Sequence, residues 1–379
     1  MGQDQPLELT DEEKKELSVG LLRSWWLEAT QALVDVVGSE DALGLLKPYF
    51  LHSGMAGCRV YHSITNLNLN GRESANASGY AFTAFVGGRF TPAYLADDGS
   101  GIAELYDCAT SGICKEACTS FCQFGALGWI QEMNPDWEIR LIRSLSWGDS
   151  CCQWRTWRSE TSAKVEAIEE MRIPLDKVFR DPMDDATRKY FGLGYAGEAW
   201  VMATRAILDS PRLEEGMDGL HHRMRLYGLS MGLRARGWMP KDSRAIAIYD
   251  VVQLISELHQ RKSEIVLEDE GAAGTVGECP FAGSAPPETC LQYESFFNGI
   301  CEAIDPSYEF AYDRMMTKGD KTCHWTIRKK GEVAKEKPKA EALPDDPVKR
   351  LTNKFIDGEI TEEELEKKLA HLRKLGLVK

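Results

Sequence analysis

The residue types best suited to covalent chemistry are gathered in one motif late in the sequence: Cys279, then Asp320, Cys323 and His324. A cysteine is a good nucleophile only as its thiolate, a form that a neighbouring histidine or a helix N-terminus favours. Cys279 precedes a helix expected to begin near Pro287, and the dipole of that helix favours an anion at its start. A carboxyl group and an imidazole can move protons. The same types occur earlier as Cys108, Asp149 and Cys152. Cys279, Cys323, Asp320, Cys108, Cys152 and Asp149 are therefore the candidate catalytic residues. Each also has a plainer use. Asp149 and Asp320 follow glycines, and Asp commonly holds a turn by hydrogen bonding. An unbonded cysteine packs like a small hydrophobe. Strand alternation places Cys323 and Trp325 on one face and His324 on the other, so Cys323 and His324 do not pair across one pocket.

A second set is Cys108, Cys114, Cys118 and Cys122. The last three are spaced by four and share a helix face. Thiolates gathered this closely suit zinc or an iron–sulfur cluster, although standard cluster spacings are tighter. The alternative is a stripe of small core residues. Cys151 and Cys152 are adjacent on a strand, face opposite ways and make a poor disulfide. Trp154 and Trp325, with Trp147 and Trp157, could wall an apolar pocket for a small ligand or cofactor, or pack the core. His221 and His222 lack partners at ligand spacing and read as a solvated helix face.

The elements that must hold these residues come in two sets. At a shift of 171, Cys108 falls on Cys279, Gly128 on Gly299, Pro135 on Pro306 and Arg143 on Arg314. Gly148-Asp149 falls on Gly319-Asp320, Cys152 on Cys323 and Trp154 on Trp325. Upstream, residues 29–35 resemble 203–209 at a shift of 174, which sets Trp26 on Trp200. Such self-similarity is the signature of a duplication. It predicts two homologous domains, 18–160 and 190–330. Apolar periodicity predicts helices near 21–37, 41–52, 197–209, 213–234 and 242–259. A short strand follows in each half, near 93–96 and 265–268. Then come the cysteine, a helix (115–133 and 287–304) stopped by Asn-Pro or Asp-Pro, and a hairpin turning at Gly-Asp. The fold class is α+β: two tandem domains, each with helices packed on an antiparallel sheet, plus a short C-terminal helical hairpin.

The closing segments resemble the L-2-amino-thiazoline-4-carboxylic acid hydrolase family. The motif is Cys279-Pro280-Phe281, a helix, then Gly319-Asp320-Lys321-Thr322-Cys323-His324-Trp325. It is shared more loosely with 4-vinyl reductase domains, which expect a cysteine where this chain has Ser144 and Met315. The first half keeps Cys108 and Gly148-Asp149-Ser150-Cys151-Cys152-Gln153-Trp154 but has Ala109 in place of Pro280. The resemblance implies hydrolysis of a C–N bond in a small heterocycle such as a 2-aminothiazoline carboxylate. The alternatives are a non-catalytic protein binding a small molecule, metal or cofactor, and an assembly subunit.

Residues 331–344 are rich in Lys and Pro and read as a linker. In 345–379, Asp346-Pro347 and Gly358-Glu359-Ile360-Thr361-Glu362-Glu363-Glu364 resemble a SHOCT module, which implies a homo-oligomer or a protein partner. Two helices this short do not bury their apolar faces alone. Composition sets the outer limits. Lys plus Arg number 45 against 59 Asp plus Glu, a net charge of −14 that argues against nucleic acid as partner. No apolar run reaches the roughly 20 residues of a membrane span. The acidic, polar N-terminus and the odd count of 11 cysteines point to a cytoplasmic protein with reduced thiols.

Overall fold

The computed structural model describes residues 10–65, 90–95, 101–108, 110–111, 114–158, 173–174, 185–236, 248, 252, 262–268 and 271–331. The chain divides into two compact units, Met1–Glu332 and Val333–Lys379. The linker from 332 onward and the module expected over 345–379 lie outside the described residues, as does most of the helix expected at 242–259.

Helix α1 (Asp11–Val37) opens on a capping box: the Thr10 hydroxyl accepts from the Glu13 amide, and the Glu13 carboxylate accepts from the Thr10 amide. Its apolar stripe of Leu22, Trp25, Trp26, Ala29 and Leu33 is buried. Gly38 ends it at φ +84°, and α2 (Ser39–Thr65) starts at once. Strands β1 (Phe90–Leu95) and β2 (Gly101–Leu105) lead to helix α3, residues 115–133. Strands β3 (Trp137–Arg143) and β4 (Cys152–Arg158) form the closing hairpin, and β5 (Ile173–Pro174) follows. Then come α4 (Asp185–Leu208), α5 (Leu213–Arg236), β6 (Lys262–Glu268), β7 (Gly271–Glu278), α6 (Pro287–Ile304), β8 (Tyr308–Arg314) and β9 (Cys323–Lys329).

The protein is α+β, with two antiparallel sheets. One has the order β3-β4-β2-β1-β5, the other β8-β9-β7-β6. Helix α3 packs on β3 and α6 on β8. The registers match at one offset: Ile102 pairs with Arg155, and Ala273 with Thr326; Trp137 pairs with Arg158, and Tyr308 with Lys329. Both hairpins carry a bulge at the same place, between Leu141 and Arg143 and between Tyr312 and Arg314.

Two helix pairs approach through glycine. A Cβ on Gly128 of α3 would lie 2.0 Å from the Leu51 carbonyl oxygen of α2. A Cβ on Gly299 of α6 would lie 2.1 Å from the Arg225 carbonyl oxygen of α5. One hydrophobic cluster runs through residues 19–327. At its centre Trp25 meets Trp200 (ring centroids 4.9 Å apart), Tyr293 (4.5 Å) and Phe296 (4.9 Å), mostly edge-on as aromatic quadrupoles favour.

Strands β2 and β7 depart from the sequence expectation, which had one strand before each cysteine. The sequence of β7, GAAGTVGE, has low strand propensity, and its first four residues are buried on both faces, so no alternation marks it. Helix α2 runs 13 residues beyond the expected end at His52, carrying Pro48 inside it. Helix α3 is interrupted by a π-helical segment, Ser120–Gly125, whereas α6 is α-helical throughout.

Candidate functional site

The two Gly-Asp turns are built alike. Gly148 and Gly319 each take φ +95°, a left-handed conformation that glycine adopts without a Cβ penalty. The Asp149 carboxylate accepts from the Ser144 amide at 2.8 Å, and the Asp320 carboxylate accepts from the Met315 amide at 2.8 Å. The Cys152 sulfur accepts from the Leu145 amide (3.4 Å), and the Cys323 sulfur from the Met316 amide (3.2 Å). These four candidates are engaged in holding the hairpins. His324 lies on the face opposite Cys323 and pairs with Asp313 at 2.8 Å. His221 is not merely solvated: its Nδ1 lies 2.8 Å from the Ser295 hydroxyl, and burial lowers its pKa.

Trp154 and Trp325 are buried core residues. The Trp154 indole donates to the Cys122 carbonyl at 2.7 Å, within the π segment. Trp325 stacks on Phe310 with centroids 5.6 Å apart and lies against Gly274, where a Cβ would come within 2.2 Å of the ring.

All eleven cysteines stand as thiols, none in a disulfide. Cys108, Cys118, Cys122 and Cys152 come together in the first half. Burial, first of all, pushes the Cys118 thiol up to about 11, with a further rise from negative charge at Cys108 and Cys152. Burial also raises Cys122 well above the ordinary thiol value and raises Cys152. Cys114 points elsewhere: its thiol donates to the Glu116 carboxylate at 3.7 Å, and burial raises it to about 11. Metal ligation needs deprotonated thiols that converge. Among the described residues no group of three or more His, Cys, Asp or Glu side chains is arranged to hold a metal ion. Of the set expected to hold zinc or an iron–sulfur cluster, Cys108, Cys114, Cys118 and Cys122, the last three are buried, and desolvation raises each of their thiols above the ordinary value.

Cys108 differs from these three. It is half-buried, and its sulfur lies 2.9 Å from the Thr110 hydroxyl. The Arg23 guanidinium of α1 stands close enough to feel negative charge at Cys108 and at Tyr227, although burial lowers its pKa overall. The corresponding place in the second half is filled differently. At the repeat offsets Thr110 falls on Phe281, Cys122 on Tyr293 and Arg23 on Gly197. A Cβ on Gly197 would lie 3.1 Å from the Phe281 ring, so that ring takes the room a larger side chain would need. Phe281 packs on Trp200 at 5.6 Å. Cys279 thus adjoins an aromatic plug, and Cys108 adjoins polar groups.

Near the thiols lies an open groove of about 530 Å³, lined by Ser39, Leu43, Lys115, Glu116, Thr119, Ser146 and Trp147. Glu116 is only 5 % exposed; it accepts from the Ser39 hydroxyl at 2.6 Å and lies 3.8 Å from the Lys115 ammonium. Trp147 is 47 % exposed, an unusual position for so large an apolar ring. Ser146 connects groove and thiols, since its hydroxyl lies 2.7 Å from that of Ser144, which in turn lies 3.8 Å from the Cys152 sulfur. Sequence reading missed Arg23, Thr110 and Glu116 as site residues. A charged residue at position 23 of an apolar stripe, with glycine at its repeat position, was the available signal.

Compared with known protein families, with curated proteins and with solved structures, the chain matches none. Among the described residues, no helix is long and apolar enough to cross a membrane.

Proposed function

We propose that the chain is a small-molecule-binding protein, related to the hydrolase family its motifs resemble, and that its ligand site is the groove of the first half. The observation that carries this is the trio in that groove: a buried carboxylate (Glu116), an ammonium (Lys115) and an exposed indole (Trp147). A carboxylate withdrawn from water attracts a cationic partner strongly. The ligand class is a planar molecule bearing both charges, as a 2-aminothiazoline carboxylate does. Its amidinium would face Glu116, its carboxylate Lys115 and its ring Trp147. Titration of that compound into the protein, followed by tryptophan fluorescence and calorimetry, should give saturable binding. Glu116→Gln and Trp147→Ala should each weaken it about tenfold or more, in line with one charge-assisted or stacking contact. Unchanged binding in both folded variants would remove the groove as the site.

A second reading, catalysis of C–N bond hydrolysis, is favoured by Cys108 with Thr110 and Arg23 beside it. In that reading the first half acts and the plugged second half supports it. Ring opening that is lost in Cys108→Ser and retained in Cys279→Ser is the expected result.

The two halves, 18–160 and 190–330, we read as a tandem duplication. The shared strand order, the common register offset, the paired Asp and Cys turn bonds and the paired glycine contacts support it. The SHOCT resemblance of 345–379 supports a homo-oligomer or a protein partner. Deleting 330–379 should lower the assembly state in sedimentation and leave the body folded.

A further inference from the structure

The groove reading leaves Cys108 and Cys118 without a task, and their geometry is specific. Both sulfurs touch one hydroxyl. Thr110 Oγ1 lies 2.9 Å from the Cys108 sulfur and 3.8 Å from the Cys118 sulfur. Their separation therefore cannot exceed the sum of those two distances. Cys118 is anchored on α3, whereas Cys108 follows β2 and lies outside any helix or strand. A disulfide bond is about 2.05 Å long, so closure asks the Cys108 segment to move by a few ångström. The Arg23 guanidinium supplies positive charge at Cys108. A hydroxyl and a cation thus stand beside a half-buried thiol that lies within reach of a second one, a geometry that lets an oxidised sulfur be met by its neighbour.

We propose that Cys108 is a peroxide-reactive thiol and that Cys118 resolves it, the two closing a disulfide over Thr110. The oxidant is hydrogen peroxide or a small alkyl hydroperoxide. The Cys108 thiolate attacks one peroxide oxygen, the O–O bond breaks, and the leaving oxygen takes a proton to become water or an alcohol. Cys108 is then a sulfenic acid. The Cys118 sulfur attacks the Cys108 sulfur, the S–OH bond breaks, and the departing hydroxyl leaves as water with the Cys118 proton. Two thiols lose two electrons and the peroxide gains them. Burial keeps Cys118 protonated until that step, which protects it from direct oxidation.

The second half provides an internal control. Cys279 has Phe281 where Cys108 has Thr110, Gly197 in place of Arg23 and Thr289 in place of Cys118. At those three positions it carries a phenyl ring, no side chain and a hydroxyl, where the first half carries the hydroxyl, the guanidinium and the thiol.

The experiment treats the reduced full-length protein with one equivalent of hydrogen peroxide and maps thiols by peptide mass spectrometry. The expected product is a Cys108–Cys118 crosslink, two hydrogen masses lighter, with Cys279 still reduced. Cys118→Ser should accumulate a Cys108 sulfenic acid that dimedone traps. If that variant does not fold, dimedone present during oxidation of the unaltered protein should trap the same species in competition with closure. Thr110→Val should slow Cys108 oxidation about tenfold or more, the worth of one hydrogen bond to a charged acceptor. Oxidation of Cys279 as fast as Cys108, a dominant crosslink of Cys108 to any cysteine other than Cys118, or an unchanged rate in folded Thr110→Val would each overturn the proposal. Ligand titration is independent of these readouts, so failure of the groove reading and failure of this one are separable.

Discussion

Replacing Asp149 or Asp320 by alanine separates a turn-holding carboxylate from a catalytic one. Each side chain accepts one backbone amide at 2.8 Å, and each residue is exposed. A hydrogen bond to a charged group contributes about 1.5–3 kcal/mol, and solvent exposure places these near the lower end, about 1.5 kcal/mol. Urea unfolding gives the readout. With a slope of about 3 kcal/mol/M for a unit this size, the midpoint should fall by about 0.5 M in either variant. Asparagine retains an acceptor oxygen and should cost about half as much. The bonds are equal in length, so the two losses should be equal. Groove binding should be unchanged, because neither aspartate lines it. A variant that keeps its midpoint but loses ligand binding or turnover would refute the turn assignment.

Glu294 accepts from the Tyr312 amide at 3.3 Å, and burial raises its pKa. Its position in the first half is Gln123, whose side-chain oxygen accepts from the Leu141 amide at 2.6 Å. A carboxyl group with a raised folded pKa opposes folding when ionised, and the penalty fades as pH falls through that pKa toward the unfolded value near 4.3. Glu294→Gln should therefore raise the melting temperature at pH 7 and lose most of that gain near pH 4, measured by calorimetry. Gly299→Ala forces a methyl group against the Arg225 carbonyl and should destabilise by about 1–3 kcal/mol, seen as a lower melting temperature. Overnight dialysis against a chelator should leave the melting temperature unchanged, and elemental analysis should find less than stoichiometric zinc and iron.

The repeat offset was legible because the residues that carry it perform rigid tasks. Gly148 and Gly319 need a left-handed backbone, Asp149 and Asp320 each satisfy an amide, and Gly128 and Gly299 admit a neighbouring carbonyl. These positions carry the same residue type in both halves. The spacing of Cys114, Cys118 and Cys122 gave the helix face correctly but not its surroundings. Sequence spacing places donors along a helix and is silent on what faces them. The corresponding Ala285, Thr289 and Tyr293 are a packing set, which favours the core reading. Strand β7 escaped notice because burial on both faces erases alternation, and Gly and Ala give it little strand propensity. The groove was hidden for another reason: Ser39, Glu116 and Trp147 come from three separate elements that only the fold unites.

Trp25 lies in the central aromatic cluster, but its partners are encoded far downstream. At a synthesis rate of ~5–20 residues per second, Tyr293 leaves the ribosome roughly 15–50 s after Trp25. For that interval the Trp25 face of the nascent helix lacks Tyr293 and Phe296, although Phe50 and Phe121, which pack on Trp26, are already made. Maturation of this protein is thus a post-translational event, and its yield in a cell should track the supply of chaperones that shield exposed aromatic surface.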